Sequence, residues 1–179
     1  MATYVAFLRG MNLGRRRVKN AELCACFKQM SFSDVWAFLA SGNVVFGSSG
    51  KDAGDLERII EGGLESTLGY EVTTFVRSAE EVASMARHKP FADEIVAASN
   101  GKLQVGILAE QPDASSRASV LELQTPEDYL SVDGRALYWL PSGRMTDSNL
   151  DLRSIDAALG QMTMRTQRTL KRLAEKIGV

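Results

Sequence analysis

Short apolar runs alternate with amphipathic stretches along this chain, and their periods predict its elements. Thr3 to Leu8 is compact, aromatic and apolar and stops at Arg9-Gly10, the pattern of a buried strand. After a basic loop, Leu23, Cys26, Phe27 and Met30 recur at helical spacing, and Ser33-Asp34 opens a second strand, Val35 to Leu39. Ser41-Gly42-Asn43 is turn chemistry, with Gly42 and Asn43 both suited to positive φ, so Val44-Val45-Phe46 should return antiparallel. Leu56, Ile59, Ile60, Leu64 and Leu68 stripe a second helix from near Lys51, and Gly69 stops it before a strand from Val72 to Val76. A third helix, Ser78 to Arg87, ends at Lys89-Pro90-Phe91.

The order βαββαβ is that of the ferredoxin-like fold, in the α+β class. From Leu103 the pattern repeats: strand to Leu108, helix Ser115 to Leu123, strand near Tyr129, turn Asp133-Gly134, strand Ala136 to Leu140 and helix Leu150 to Leu159. Leu159-Gly160 echoes Leu68-Gly69, and Thr169 to Ile177 echoes the helix beginning at Ser78. We therefore expect a ferredoxin-like subdomain over 1–88 with its following helix, a second related α/β half over 89–179 arising by duplication, and the two packed as one compact unit.

Composition narrows the function classes. The 179 residues are 45% hydrophobic and 24% charged, enough for real cores, and 21 Lys+Arg against 22 Asp+Glu leave a net charge of −1. Any attraction for a polyanion must then be local. No apolar run is long enough to span a bilayer and the start lacks a secretory pattern, so a cytoplasmic protein without membrane association is expected. Cys24 and Cys26, two apart on one helix, diverge too far to clamp a metal, and they read as plain thiols of a reducing compartment.

The most unusual segment is Arg9-Gly10-Met11-Asn12-Leu13-Gly14-Arg15-Arg16-Arg17-Val18-Lys19. A glycine-bearing loop feeding a helix start can present N–H groups to an anion, and nearby cations strengthen such a site. It is neither a Walker A loop nor a dinucleotide fingerprint, because Gly14 is followed by Arg15-Arg16. The competing reading is a solvated charge run, yet cations at a helix start oppose its dipole and lower stability unless an anion compensates. In a ferredoxin-like sheet the loop after strand one and the turn between strands two and three share an edge. Arg9, Asn12, Arg15, Arg16, Arg17 and Lys19 should then adjoin Ser41 and Asn43. Taken alone, Ser41-Gly42-Asn43 is a plain hairpin turn.

Familiar catalytic constellations are not visible. His88, the single histidine, sits at a helix end where a cation suits the dipole. Glu80-Glu81, Asp93-Glu94 and Glu127-Asp128 read as helix-start or surface acids. Tyr4 and Phe46 occupy strands that stack bases in RNA-recognition modules, but Asn43 to Phe46 lacks that signature and core aromatics are the better reading. Arg165, Arg168, Lys171, Arg172 and Lys176 decorate the last helix around Leu170, Leu173 and Ile177, the pattern of a wet basic face.

Several of these motifs resemble a family. Tyr4-Val5-Ala6-Phe7-Leu8-Arg9-Gly10-Met11-Asn12-Leu13-Gly14 is similar to the opening Y-V-A-L-L-R-G-I-N-V-G of the bacterial domain of unknown function 1697 family, and Ser41 to Phe46 to its S-G-N-V-V-F turn. Lys89-Pro90-Phe91 resembles its N-P-F, and Leu140-Pro141-Ser142-Gly143 with Ser148 its P-x-G and following serine. Its closing T-x-R-N-W-N-T pattern survives here as Thr163, Arg165 and Thr169, with Thr166 and Gln167 in place of Asn and Trp. The resemblance implies an α+β protein of ferredoxin-like character and supplies no activity, cofactor or substrate.

Three functional readings stand at this point. The first is an anion-binding module, for a nucleotide or nucleic acid, using Arg9, Asn12, Arg15, Arg16, Arg17, Lys19, Ser41 and Asn43, with Arg165 added from the family pattern. The second is an enzyme acting on a phosphorylated small molecule, with the same rim as phosphate grip. The third is a homodimeric interaction protein without catalysis. No metal site and no cofactor are expected.

Overall fold

The computed structural model describes residues 1–11, 17–39 and 42–179. The chain divides into two units, Met1–Val82 with Ile177–Val179, and Ala83–Lys176.

The first unit runs β1 (Ala2–Arg9), α1 (Asn20–Gln29), β2 (Ser33–Ala37), β3 (Asn43–Ser48), α2 (Ala53–Leu68), β4 (Thr73–Ser78) and the start of α3 (Ala79–Arg87). Its sheet has the order β2-β3-β1-β4 with every pairing antiparallel. Alternation along the strands sends Ala6, Leu8, Val44, Phe46 and Val76 into one core with Leu23 and Phe27 of α1 and Leu56, Ile60 and Leu64 of α2. Tyr4 stacks on Phe46 at 5.9 Å within that core, so the core reading of these two aromatics holds. On the opposite face Val5, Phe7, Val45, Phe75 and Arg77 are buried as well, so the positions of β1 and β3 there are not free to stack bases.

The outer edge of β4 is covered by α2. Glu57 accepts the Val76 N–H and Glu61 the Thr74 N–H, both at 2.8 Å. Four residues of helix rise about 6 Å and two residues of strand about 6.6 Å, so glutamates spaced i, i+4 meet outward N–H groups spaced i, i+2. An edge that would otherwise invite another strand is thus capped by carboxylates.

The second unit repeats the plan. After α4 (Asp93–Ala98) come β5 (Gln104–Leu108), α5 (Ala114–Leu121), β6 (Asp128–Asp133), β7 (Ala136–Pro141), a 3-10 turn (Met145–Asp147), α6 (Leu152–Leu159), β8 (Met162–Thr166) and α7 (Gln167–Ile177). The strand order β6-β7-β5-β8 is the same, again antiparallel throughout. Two similar βαββαβ-like halves with two sheets therefore make an α+β fold, consistent with a duplicated ferredoxin-like arrangement.

The likeness reaches single residues. Val5 pairs with Arg77 where Val105 pairs with Arg165, and each arginine turns Nη1 back onto the carbonyl of the preceding residue, Val76 or Met164, at 2.8 Å. The N–H of Leu8 donates to Gly42 (2.8 Å) as that of Leu108 donates to Arg135 (3.1 Å).

Elsewhere the structure departs from the sequence reading. Strand β8 and helix α4 were not located by periodicity. Gly42 takes positive φ as expected (φ 68), but Asn43 does not: it begins β3, fully buried, and Leu39 (φ 59) is the second positive-φ residue of the connection among those described. A Cβ on Gly42 would lie 3.1 Å from that of Leu8, so glycine serves both the backbone angle and the close approach. Glu127 is exposed as expected, but Asp128 is only 2% exposed, and it ties its hairpin together. Among the described residues no helix is long and apolar enough to cross a membrane.

Candidate functional site

The basic segment grows from the end of β1. Gly10 turns the chain at φ 75, Met11 drops into the core at 4% exposure, and its carbonyl accepts the Tyr70 hydroxyl at 3.0 Å. Val18 packs on the same core before α1 begins. The cationic stretch is thereby anchored at both ends, by Met11 and by Val18, while Arg9, Arg17 and Lys19 are exposed. Asn12, Arg15, Arg16 and Ser41, all expected at the site, lie outside the described residues.

The β2–β3 connection adjoins this segment. Besides the Leu8–Gly42 bond, the Asn20 side-chain amide at the start of α1 donates to the Leu39 carbonyl at 3.1 Å. These two bonds tie the end of β1 and the start of α1 to the β2–β3 connection. Asn43 is part of that connection differently than expected. Its amide donates to the Phe38 carbonyl at 3.0 Å while its own carbonyl accepts the Phe38 N–H at 2.8 Å, so this side chain closes the hairpin from inside.

Helix α1 starts on Lys19, whose N–H is taken by Glu22 at 2.9 Å. The other sheet-covering helices start on aspartates. Asp52, Asp113 and Asp151 accept the N–H of Asp55, Ser116 and Ser154 at 2.8, 2.7 and 3.1 Å. Those bonds, with the hydroxyl of Ser154 leading in the case of Asp151, hold the Asp113 and Asp151 carboxyls below the ordinary range.

Arg165 belongs to the second unit. It donates to Thr163 Oγ1 at 2.9 Å as well as to Met164 O, and burial lowers its guanidinium to about 10, still charged at neutral pH. Its match to Arg77 makes it a repeated feature of the fold, a signal readable in sequence as Val-Arg-Ser beside Met-Arg-Thr at the two strand ends. His88 sits with its ring 4.6 Å from that of Tyr138 and Nδ1 3.9 Å from Asp133, and its carbonyl accepts from Gln167 at 2.6 Å. Burial, with Asp133 adding, pushes the Tyr138 phenol well up, so it stays protonated.

Sequence reasoning missed a polar knot in the second unit. Asp128 accepts from Trp139 Nε1 (2.7 Å) and Ser148 Oγ (2.8 Å) on one oxygen and from Thr125 Oγ1 (2.9 Å) on the other. Ser148 in turn receives the Leu150 N–H at 3.0 Å. A tryptophan followed by Pro-x-Gly and a serine carried the only hint, since a buried indole needs an acceptor.

Each unit is thus an α+β layer with its own sheet. Within that class the chain belongs to the family described as protein of unknown function (DUF1697), whose model matches residues 1–138. A solved structure, that of the conserved bacterial protein SP0830 from Streptococcus pneumoniae, is similar at 17% identity and a TM-score of 0.78, covering 100% of this chain and 99% of that one. This likeness concerns the fold. No curated protein matches the chain.

Proposed function

We propose that this protein is an anion-binding module whose first unit grips nucleic acid at the rim formed by the loop after β1 and the β2–β3 turn. One observation carries the reading: the topologically equivalent loop of the second unit, residues 109–113, makes the same connection in fewer residues and carries Glu110 and Asp113 with no cation. The fold therefore does not require residues 10–19 to be long or basic. Their four cations, with Arg9 before them, work against the start of α1, where an aspartate would be favoured. A bound phosphate chain would reverse that penalty.

Several cations spread along a loop suit a chain of phosphates better than one phosphate group, which favours nucleic acid over a mononucleotide. The two halves are read as copies of one ferredoxin-like unit acting in the cytoplasm, with the rim elaborated in one copy. The test is a fluorescence-polarisation titration of labelled single-stranded RNA and DNA at several salt concentrations, beside R15A/R16A/R17A. Binding should weaken steeply with salt, and the variant should flatten the slope of log K against log salt by about 2. No binding at low salt, or an unchanged slope, would overturn the reading in favour of a sugar-phosphate ligand or a purely oligomeric role.

A further inference from the structure

A second site of opposite character lies in the second unit. Ile95 and Ala98 of α4, Pro126, Tyr129 of β6 and Leu140 of β7 line a pocket of about 420 Å³ whose remaining wall carries Glu94 and Glu127. This volume falls within the range of small-molecule sites. Among the described residues no Lys, Arg or His lines it. Tyr129 is 40% exposed, and Phe91 supports its ring at 6.0 Å.

The pocket is built rather than incidental, because both walls are fixed from behind. On the α4 side Ser99 Oγ donates to Pro141 O at 2.6 Å and accepts the Gly101 N–H at 2.9 Å. Gly101 itself lies so close that a Cβ there would sit 1.9 Å from Pro141 O, so only glycine lets this segment close on the end of β7. On the other side the buried Asp128, held by Trp139, Ser148 and Thr125, fixes the turn that carries Pro126 and Glu127. A concavity held by hydrogen bonds on two sides persists without a ligand, which lowers the ordering cost of binding one.

The geometry points to a binding site for a small organic cation, an amine or guanidine on a flat apolar body. The apolar wall takes the body, Tyr129 adds an aromatic surface, and the two carboxylates select the positive charge. Anionic ligands meet like charge here, so this pocket and the basic rim take different molecules.

The probes are three compounds with one ring and three charges: tryptamine, tryptophol and indole-3-acetate. Isothermal titration of the full chain at low salt should show tryptamine binding about tenfold tighter than tryptophol, with indole-3-acetate weakest. E94Q and E127Q, both at exposed positions, should keep the wild-type melting temperature and bring tryptamine toward tryptophol, and the double variant should make the two equal. Tyr129→Leu should weaken tryptamine and tryptophol alike. Failure of all three probes to bind, equal affinity across the series, or tryptamine binding that ignores the glutamine variants would each overturn the assignment. Capture of a lysine-rich peptide without tryptamine would also overturn it, in favour of a protein ligand.

Discussion

The two units share a strand order and an arginine at the same register, buried in the first and half-buried in the second, yet they spend their sequence differently at the end where the loop after the first strand meets the hairpin. In the first unit residues 10–19 and 38–42 make these connections, and in the second residues 109–113 and 134–135 suffice. The longer pair is basic, opens its helix on Lys19 and includes a leucine, Leu39, at φ 59, a conformation that bulky residues avoid. The shorter pair opens its helix on Asp113 and turns at Gly134, φ 53, with open space where a Cβ would lie. One scaffold that can be closed cheaply is closed expensively in one copy, and the extra cost falls on the loop proposed to bind anions. The second unit is reinforced elsewhere, at the base of its hairpin, where Asp128 binds three donors.

The largest effect should come from that knot. Asp128→Ala strands a buried indole N–H and two hydroxyls and should cost about 3 kcal/mol by urea denaturation. The first unit offers Ser33 Oγ near Met1 Sδ at the corresponding strand start, so Ser33→Ala should cost well under about 1 kcal/mol. Equal losses would show that the hairpin bases are not held differently. Next come Glu57 and Glu61. The double alanine variant leaves the Thr74 and Val76 amides without acceptors and should lose about 2 kcal/mol. Hydrogen exchange at those two amides should quicken while that of Ala6 and Phe46 stays slow. The second unit has no such device, because α6 contains no glutamate.

Acid should separate the units more gently. Asp113 and Asp151 have folded pKa values below the ordinary 3.8, so the stability they contribute is present above about pH 4 and disappears as pH falls through the lowered folded values. In D113N/D151N, urea midpoints followed from pH 6 to pH 2 should fall less steeply below pH 4 than in the wild type. Parallel curves would mean these caps contribute no pH dependence.

Much of this architecture was legible in the sequence, because a helix that buries one face shows a stripe and a strand buried on both faces shows a short apolar run. α2 is visible the first way and β1 and β7 the second, and the repeat of Leu-Gly after α2 and α6 marks the repeated order. β8 escaped because Met162-Thr163-Met164-Arg165-Thr166 is short, only half-buried over its last three residues, and mixes an arginine into the pattern. α4 escaped because it buries no residue and so imposes no stripe. Of the rim, the adjacency of loop and hairpin followed from topology alone, whereas the inward turn of Asn43 depends on the Phe38 carbonyl, a partner that spacing does not reveal. Glu57, Glu61 and Asp128 looked like ordinary surface acids, since a carboxylate that caps backbone or indole N–H groups has the same local sequence as one facing water.

The smallest change tests the comparison at its centre. Lys19→Asp gives α1 the opening that α2, α5 and α6 already have, with a carboxylate to accept an N–H of the first turn and to face the positive end of the dipole. If the basic rim is retained for binding at the expense of folding, this variant should be more stable by about 1 kcal/mol while its RNA affinity drops. Removing one cation and adding one anion should also lower the salt slope by about 1 or more. A variant that is less stable would mean that Lys19 already has a favourable structural role and that the contrast between the two loops reflects packing. A variant that gains stability and binds RNA as before would place the anion site away from the start of α1, among the remaining cations of the loop.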